Sequence, residues 1–466
     1  MVCLPALAHG AEKAVSSDLA WGIPSGDFGP TQAAISDVGA RWVRLEFRWN
    51  EAEPSSKGSY DQNIIARYDR AVDTARAAGA KVLVFVNGAP RWASGSRVPM
   101  TKPQNAADYG DFIRYVATRY RGKVSAWEVW NEENTSRFWS TGPSPSAYVP
   151  LLKATYPVVK SVDPNALVVF GGVSQNDYGY IEGAYAAGAK GYFDVMAAHP
   201  YPGPSPPEAT WYSGSRISST SFSGFREIRK SMLARGDDEP IWLTEFGWST
   251  TTTETWGVTQ AQQADYLTRA YRLLESYPYV QIAYWYNLRN NFWNSDADTW
   301  ETQLGLMRTD FTHKPSYAAF KSYQPGAAPP PAAPSPTTTT TKPSGSTTSS
   351  SPSGGGGRRA TRTSMTFTRR VTRHRVAASN VRPLRRLVVR GRVAGAHRGR
   401  VAVRLRRRAA NGRWVFLRLH VVQLRSDGTF RASFGFRRSR LLLVRAVYRG
   451  SATAAPSRSK LRRVRS

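Results

Sequence analysis

Residues 124–134 read VSAWEVWNEEN, a short apolar run that closes in a tryptophan, an asparagine and two adjacent glutamates. A run of this length, bounded by polar residues, reads as a buried strand that delivers its last side chains to one end of a sheet. On such a strand side chains alternate, so Glu128 and Glu132 share a face. Seven further runs have the same character: DLAWGI (18–23), WVRLEF (42–47), KVLVFV (81–86), ALVVFGG (166–172), FDVMAAH (193–199), IWLTEF (241–246) and QIAYWY (281–286). Amphipathic helical stretches follow them, as in DQNIIARYDRAVDTARAAG, where Ile64, Ile65, Tyr68, Val72 and Ala75 fall on one face. Eight strand–helix units in about this length predict an α/β chain with a (β/α)8 barrel. The rival, a doubly wound open sheet, lacks its Gly-rich phosphate loop after the first run.

The barrel accounts for only part of the 466 residues. Residues 17–325 are expected to form it. The opening MVCLPALAHGAEKA contains Ala6-Leu7-Ala8, an A-x-A-like cleavage pattern, and residues 1–16 are read as the remnant of a signal peptide. Residues 326–357 are a Pro/Thr/Ser/Gly linker of the kind that joins modules. Residues 358–466 hold 32 basic side chains, 31 of them arginine, against the single acid Asp427. This segment therefore carries the whole net charge of +31, and the first 357 residues are neutral overall. Its apolar residues alternate with period two, Val401, Val403 and Leu405 against Arg400, Arg404 and Arg406. With Asn411-Gly412 and Asp427-Gly428 read as hairpin turns, a small all-β, immunoglobulin-like sandwich with a basic face is expected. The lone cysteine, Cys3, excludes an intrachain disulfide and a thiolate metal cage. No apolar run is long enough to span a bilayer.

In a barrel of this class the informative polar residues are those that end the strands. Strand four ends in Asn131-Glu132 and strand seven in Glu245, 113 residues later, which is three strand–helix units. Two carboxylates across one pocket are what glycosidic bond cleavage needs: one protonates the leaving oxygen and the other attacks or stabilises the sugar's oxocarbenium carbon. The charge of one raises the pKa of its neighbour, keeping one an acid and the other a nucleophile. Arg44 alternates inward with Glu46 on strand two, where it can hold Glu245 ionised, and Glu128 is assigned a structural pairing with Arg44. Trp285, near the end of strand eight, is expected to floor a sugar site, with Trp92, Trp139, Trp248, Trp256, Trp293 and Trp300 as an aromatic rim. No cluster with metal-ligand spacing stands out. Neither metal nor cofactor is expected.

WEVWNEEN, then AHPYP, IWLTEFGWST, AYWYNLRNN and LGLMRTDFTHKPSYAAF resemble the retaining clan A of glycoside hydrolases. The chain is most similar to family 39 and its endo-acting relatives, with family 5 close behind, over residues 17–325. The resemblance implies that Glu132 is the acid/base, that Asn131 before it hydrogen-bonds the sugar 2-hydroxyl, and that Glu245 is the nucleophile. It further implies a sugar-pocket role for His199 and a hydrogen bond from Tyr201 to the nucleophile. The family usually places Pro after the acid/base; this chain has Glu133, which is a rival for that role.

The function expected is a secreted retaining endo-β-glycosidase acting on a polysaccharide, monomeric and tethered through residues 358–466 to anionic cell-wall or capsule polymers. The extracellular setting makes these polymers, rather than nucleic acid, the expected partners of the basic tail. The alternatives are an exo-acting β-xylosidase-like enzyme, which needs a closed pocket, and a wall-binding protein that has lost turnover.

Overall fold

Parallel strands run β5-β4-β3-β2-β1-β11-β10-β7-β6 around the first unit. They are β1 (Glu12–Ser16), β2 (Trp42–Arg48), β3 (Lys81–Asn87), β4 (Ala126–Val129), β5 (Leu167–Val169), β6 (Val173–Ser174), β7 (Met196–His199), β10 (Ile241–Phe246) and β11 (Val280–Trp285). A small hairpin, β8 (Tyr212–Ser213) with β9 (Arg216–Ile217), lies between β7 and β10 in the chain. A parallel bridge between Val169 and Val195 closes the ring, so β5 and β6 are two halves of the fifth strand of a (β/α)8 barrel. The computed structural model describes residues 10–291, 298–326, 362–372, 384–394, 400–408, 414–436, 441–448, 457–459 and 462–465. The chain divides into two units between Ala333 and Pro334.

Helices fill the intervals: α1 (Phe28–Asp37), α2 (Trp49–Ala52), α3 (Gln62–Ala77), α4 (Arg91–Ser94), α5 (Ala106–Arg119), α6 (Pro145–Val162), α7 (Tyr178–Ala186), α8 (Phe225–Leu233), α9 (Gln260–Leu274) and α10 (Pro315–Ser322). Their starts are written locally. Asp61 accepts from the Asn63 and Ile64 amides at the head of α3, and Thr259 with Gln262 forms a reciprocal capping box on α9. No helix among the described residues is long and apolar enough to cross a membrane.

Strand alternation divides the barrel's apolar residues into two layers. Ala14, Trp42, Leu83, Ala126, Ala197, Trp242, Ile282 and Tyr284 fill the interior. Their neighbours Val43, Trp127, Val129, Leu243, Ala283 and Trp285 join the larger core under the helices. The first strand lies earlier than expected. β1 is Glu12–Ser16, inside the stretch assigned to a signal remnant, while Leu19–Trp21 in DLAWGI forms a 3₁₀ turn. EKAVS carries two charges and looks less like a strand than DLAWGI, but the tertiary structure satisfies both. Glu12 accepts from the Trp42 indole, and Lys13 donates to the carbonyls of Val38 and Phe320.

The described part of the second unit is strand: β12 (Arg362–Thr372), β13 (Leu384–Ala394), β14 (Arg400–Arg408), β15 (Trp414–Gln423), β16 (Thr429–Phe436), β17 (Leu441–Tyr448), β18 (Ser457–Arg458) and β19 (Arg462–Arg465). β12, β13 and β16 form one antiparallel sheet. The other is β15-β14-β17-β18, with β19 on β17. Leu387, Val389, Phe430 and Ala432 of the first share a buried cluster with Val401, Val403, Leu405 and Val444 of the second. The turn at Asp427-Gly428 closes as a hairpin turn does, with the Gly428 amide on the Arg425 carbonyl and the Arg425 amide on the Thr429 carbonyl, but the strands it joins, β15 and β16, belong to different sheets. Asn411-Gly412 and the linker from 327 onward lie outside the described residues.

Candidate active site

Strand ends β2, β4, β7 and β10 bring together six of the seven residues singled out in the sequence. Arg44 is wholly buried and makes three side-chain hydrogen bonds. Nε donates to Glu128 Oε2 at 2.6 Å, Nη1 to Glu245 Oε1 at 2.7 Å and Nη2 to Asn131 Oδ1 at 2.8 Å, with the guanidinium over the Phe85 ring. Burial acts against its charge, yet Glu128 and Glu245 together raise its pKa, so it is a fixed cation beneath Glu245. Glu245 Oε2 accepts from the Tyr201 hydroxyl at 2.8 Å. Burial, reinforced by Glu245, lifts the Tyr201 pKa well above its ordinary value, so it stays a donor. Two fixed donors thus face one carboxylate.

Glu132 faces Glu245 across His199. His199 Nδ1 lies 3.1 Å from Glu132 Oε1 and 3.7 Å from Glu245 Oε2, and one ligand atom from each of the three side chains lies within 4.8 Å of the others. A hydrogen-bond relay orders the imidazole. Glu128 Oε1 accepts from the Gly172 amide at 3.0 Å and from the Thr244 hydroxyl at 2.9 Å. With its only proton so used, Thr244 must accept from His199 Nε2, 3.0 Å away. Nδ1 is then the ring nitrogen turned to Glu132. Glycine is required at 172, because a Cβ there would lie 2.1 Å from His199 Nε2 and 2.7 Å from Thr244 Oγ1.

By distance alone Glu132, His199 and Glu245 could hold a metal ion. Their environment suits proton sharing better. Glu245 already accepts from Arg44 and Tyr201, and an added cation would face the Arg44 charge.

Backbone geometry aims these side chains. Trp130 and Glu132 sit at φ of 71° and 46°, left-handed values uncommon for non-glycine residues and frequent at functional sites. On β10, the four residues from Leu243 to Phe246 oppose the three from Ala283 to Trp285 on β11, a bulge that shifts alternation by one. Trp242 and Thr244 point inward before it, and the bulge turns Glu245 into the mouth while Phe246 packs under the helices.

The seventh residue lies elsewhere. Trp285 is wholly buried under the helices, stacked at 6.1 Å on Trp248, its indole N–H on the Leu304 carbonyl. Tyr286 lines the cleft instead. Ile282 and Tyr284 face the interior, so the same parity carried two residues on would have found it. Of the expected rim, Trp256 and Trp300 line the cleft, Trp139 and Trp248 are core, Trp92 packs beside Trp49 with its indole on the Glu53 carbonyl, and Trp293 lies outside the described residues. Glu133 is fully buried, its carboxyl against Gly171. It does not line the cleft, so of the two adjacent acids only Glu132 reaches it.

The cleft encloses about 690 Å³ above Glu132 and Glu245. The Trp300 ring meets Tyr201 edge-on at 4.9 Å, and Arg137, after β4, is ion-paired with Glu301, after β11. Sequence reading missed this pair, Thr244 and Tyr286.

A family model described as Cellulase (glycosyl hydrolase family 5) matches residues 8–291. Among solved structures, a family 39 glycoside hydrolase from the gut symbiont Bacteroides cellulosilyticus WH2 is 20% identical at a TM-score of 0.55, over 91% of this chain and 81% of that one. A monomeric beta-xylosidase from Caulobacter crescentus CB15 is 14% identical at 0.51, over 94% and 96%. An exo-beta-1,4-mannosidase from Opitutaceae bacterium strain TAV5 is 17% identical at 0.51, over 69% and 61%. At such identities these likenesses speak to the fold alone.

Proposed function

Because the chain belongs to the cellulase family of glycoside hydrolases, glycosyl hydrolase family 5, we propose that it is an exported enzyme cleaving internal β-linkages of a polysaccharide with retention, held near its substrate by its basic tail. The observation that supports this reading is the approach of Glu132 and Glu245 to within 4.8 Å. An inverting pair stands roughly 6.5–9.5 Å apart to admit a water, whereas a retaining pair stands at about 5–5.5 Å.

In the first step Glu245, oriented by the hydrogen bonds it accepts from Arg44 and Tyr201, attacks the anomeric carbon while Glu132 gives its proton to the departing glycosidic oxygen. An ester joins sugar and Glu245. In the second, Glu132 takes a proton from water, whose oxygen attacks the same carbon and releases Glu245. His199 can receive or return the Glu132 proton through Nδ1. Because Arg44 engages Oδ1 of Asn131, the amide NH2 is the end left to bind a sugar hydroxyl.

Glu245→Gln is expected to lower kcat by at least about 10⁴-fold at unchanged Tm. Glu132→Ala should be rescued by azide on substrates with good leaving groups, giving the retained glycosyl azide; an inverted product would refute the two-step route.

A second reading, exo action, is favoured by the Arg137–Glu301 pair. β4 and β11 are separated by three strands one way round the barrel, and by β5, β7 and β10 the other, so the pair spans the mouth. Both side chains are more than half exposed, and such pairs contribute only about 0–1 kcal/mol. Product sizing on β-linked polysaccharides separates the readings, since exo action releases only terminal units.

A further inference from the structure

We propose that the outer face of the β12-β13-β16 sheet is a defined binding site for an anionic polysaccharide, centred on Arg390, Arg392, Arg425 and Arg431. It takes its ligand class from the tether reading above and adds a location.

On β13, Arg390 and Arg392 are both exposed and two residues apart, hence on one face at roughly 6.6 Å spacing. In the register of the sheet Arg431 of β16 stands directly opposite Arg390, and Thr429 opposite Arg392. On the other side Ser364 of β12 stands opposite Arg392. Arg425 reaches the same place from the turn before β16, fixed by its amide donating to the Thr429 carbonyl and by the Gly428 amide donating to its own carbonyl. These residues line a cleft of about 450 Å³. Asp427, the one acid of the segment, accepts from the Thr429 amide and hydroxyl, and its carboxylate offsets part of the charge of Arg425 and Arg392, leaving the four arginines with a net positive charge.

The floor is firm: Phe430 is buried, and a Cβ on Gly391 would lie 2.3 Å from its ring and 2.2 Å from the Ser364 carbonyl. That floor also selects the ligand. Sequence-tolerant binding of single-stranded nucleic acid uses open aromatic faces for base stacking. Among the described residues lining this cleft the only aromatic ring is Phe430, which is covered. Guanidinium groups with Ser and Thr hydroxyls suit the carboxylates and hydroxyls of an acidic sugar chain.

The test compares full-length protein carrying Arg390→Gln with Arg431→Gln against Arg462→Gln with Arg463→Gln, exposed arginines of β19 outside the cleft, so that both remove two charges. Affinity for polygalacturonate is expected to fall about tenfold or more in the first and less than about threefold in the second. Polygalacturonate should also raise the Tm of the second unit in the native chain and in the β19 variant, but not in the cleft variant. Equal losses would mean a diffuse charge effect and overturn the site, and tighter binding of a single-stranded oligonucleotide of matched charge would overturn the ligand class. Hydrolysis of a short soluble glycoside, followed in parallel, is expected to be unchanged, so that a failure here is distinguishable from a failure of the hydrolytic reading.

Discussion

Glu132 and Glu133 are adjacent residues of one type with opposite surroundings. The left-handed backbone at Glu132 turns it into the cleft, and the next side chain goes into the protein, where neither oxygen of Glu133 has a hydrogen-bond partner in another described residue. Burial, with the nearby charges of Glu128 and Glu132, raises its pKa well above the ordinary 4.5. A carboxyl whose folded pKa is raised stabilises the fold fully below its unfolded value and loses that contribution as pH climbs toward the folded value. Glu133→Gln should therefore match the native protein near pH 4 and exceed it at pH 7, by about 1.4 kcal/mol for each pH unit traversed below the folded pKa. Urea unfolding at the two pH values measures this; equal stabilities at both would show that Glu133 ionises freely. The sequence displayed Glu132 and Glu245 as strand-end acids, but which neighbour of the EE pair faces the cleft depends on two φ angles that no local pattern reveals.

At the scale of the element, alternation was a good guide wherever strands are regular and failed where they are not. β2 places Trp42, Arg44 and Glu46 on one face as its pattern predicts. β10 instead gains a residue between Leu243 and Phe246, and only that bulge allows Thr244 and Glu245 to serve the site together. On β11 alternation holds from Ile282 to Trp285, and expecting Trp285 in place of Tyr286 is an error of parity, drawn by the larger ring. Trp285→Ala should destabilise the barrel by about 3–5 kcal/mol through the cavity left among Phe246 and Trp248. KM should barely move. Tyr286→Ala should do the reverse, raising KM for oligosaccharides about tenfold at nearly unchanged Tm, the scale of one lost aromatic contact. Thermal melts and initial rates on the two variants decide it; a KM change in the Trp285 variant equal to that of Tyr286 would return Trp285 to the sugar site.

At the scale of the molecule, charge is segregated: residues 1–357 are neutral overall and residues 358–466 carry +31. Removing residues 358–466 should leave kcat/KM on short soluble oligosaccharides within about twofold, since the barrel's core and candidate site are built from the first unit alone, while abolishing salt-sensitive adsorption to cell walls. Undiminished adsorption of the truncated chain would dismiss the tether. The amino-acid sequence by itself determined the number and order of strand–helix units, the strand ends that bear carboxylates, and the separation of a neutral unit from a basic one. These are properties of local periodicity and composition, which survive without knowledge of neighbours. Only the tertiary structure decided that EKAVS rather than DLAWGI is the first strand, that Glu245 turns inward, that Trp285 and Glu133 are buried, and that Asp427-Gly428 crosses between sheets. Each of these is fixed by hydrogen-bond register and burial against segments distant in the chain, and a strand's own residues do not encode which partner will satisfy its charges or where the ladder must slip by one.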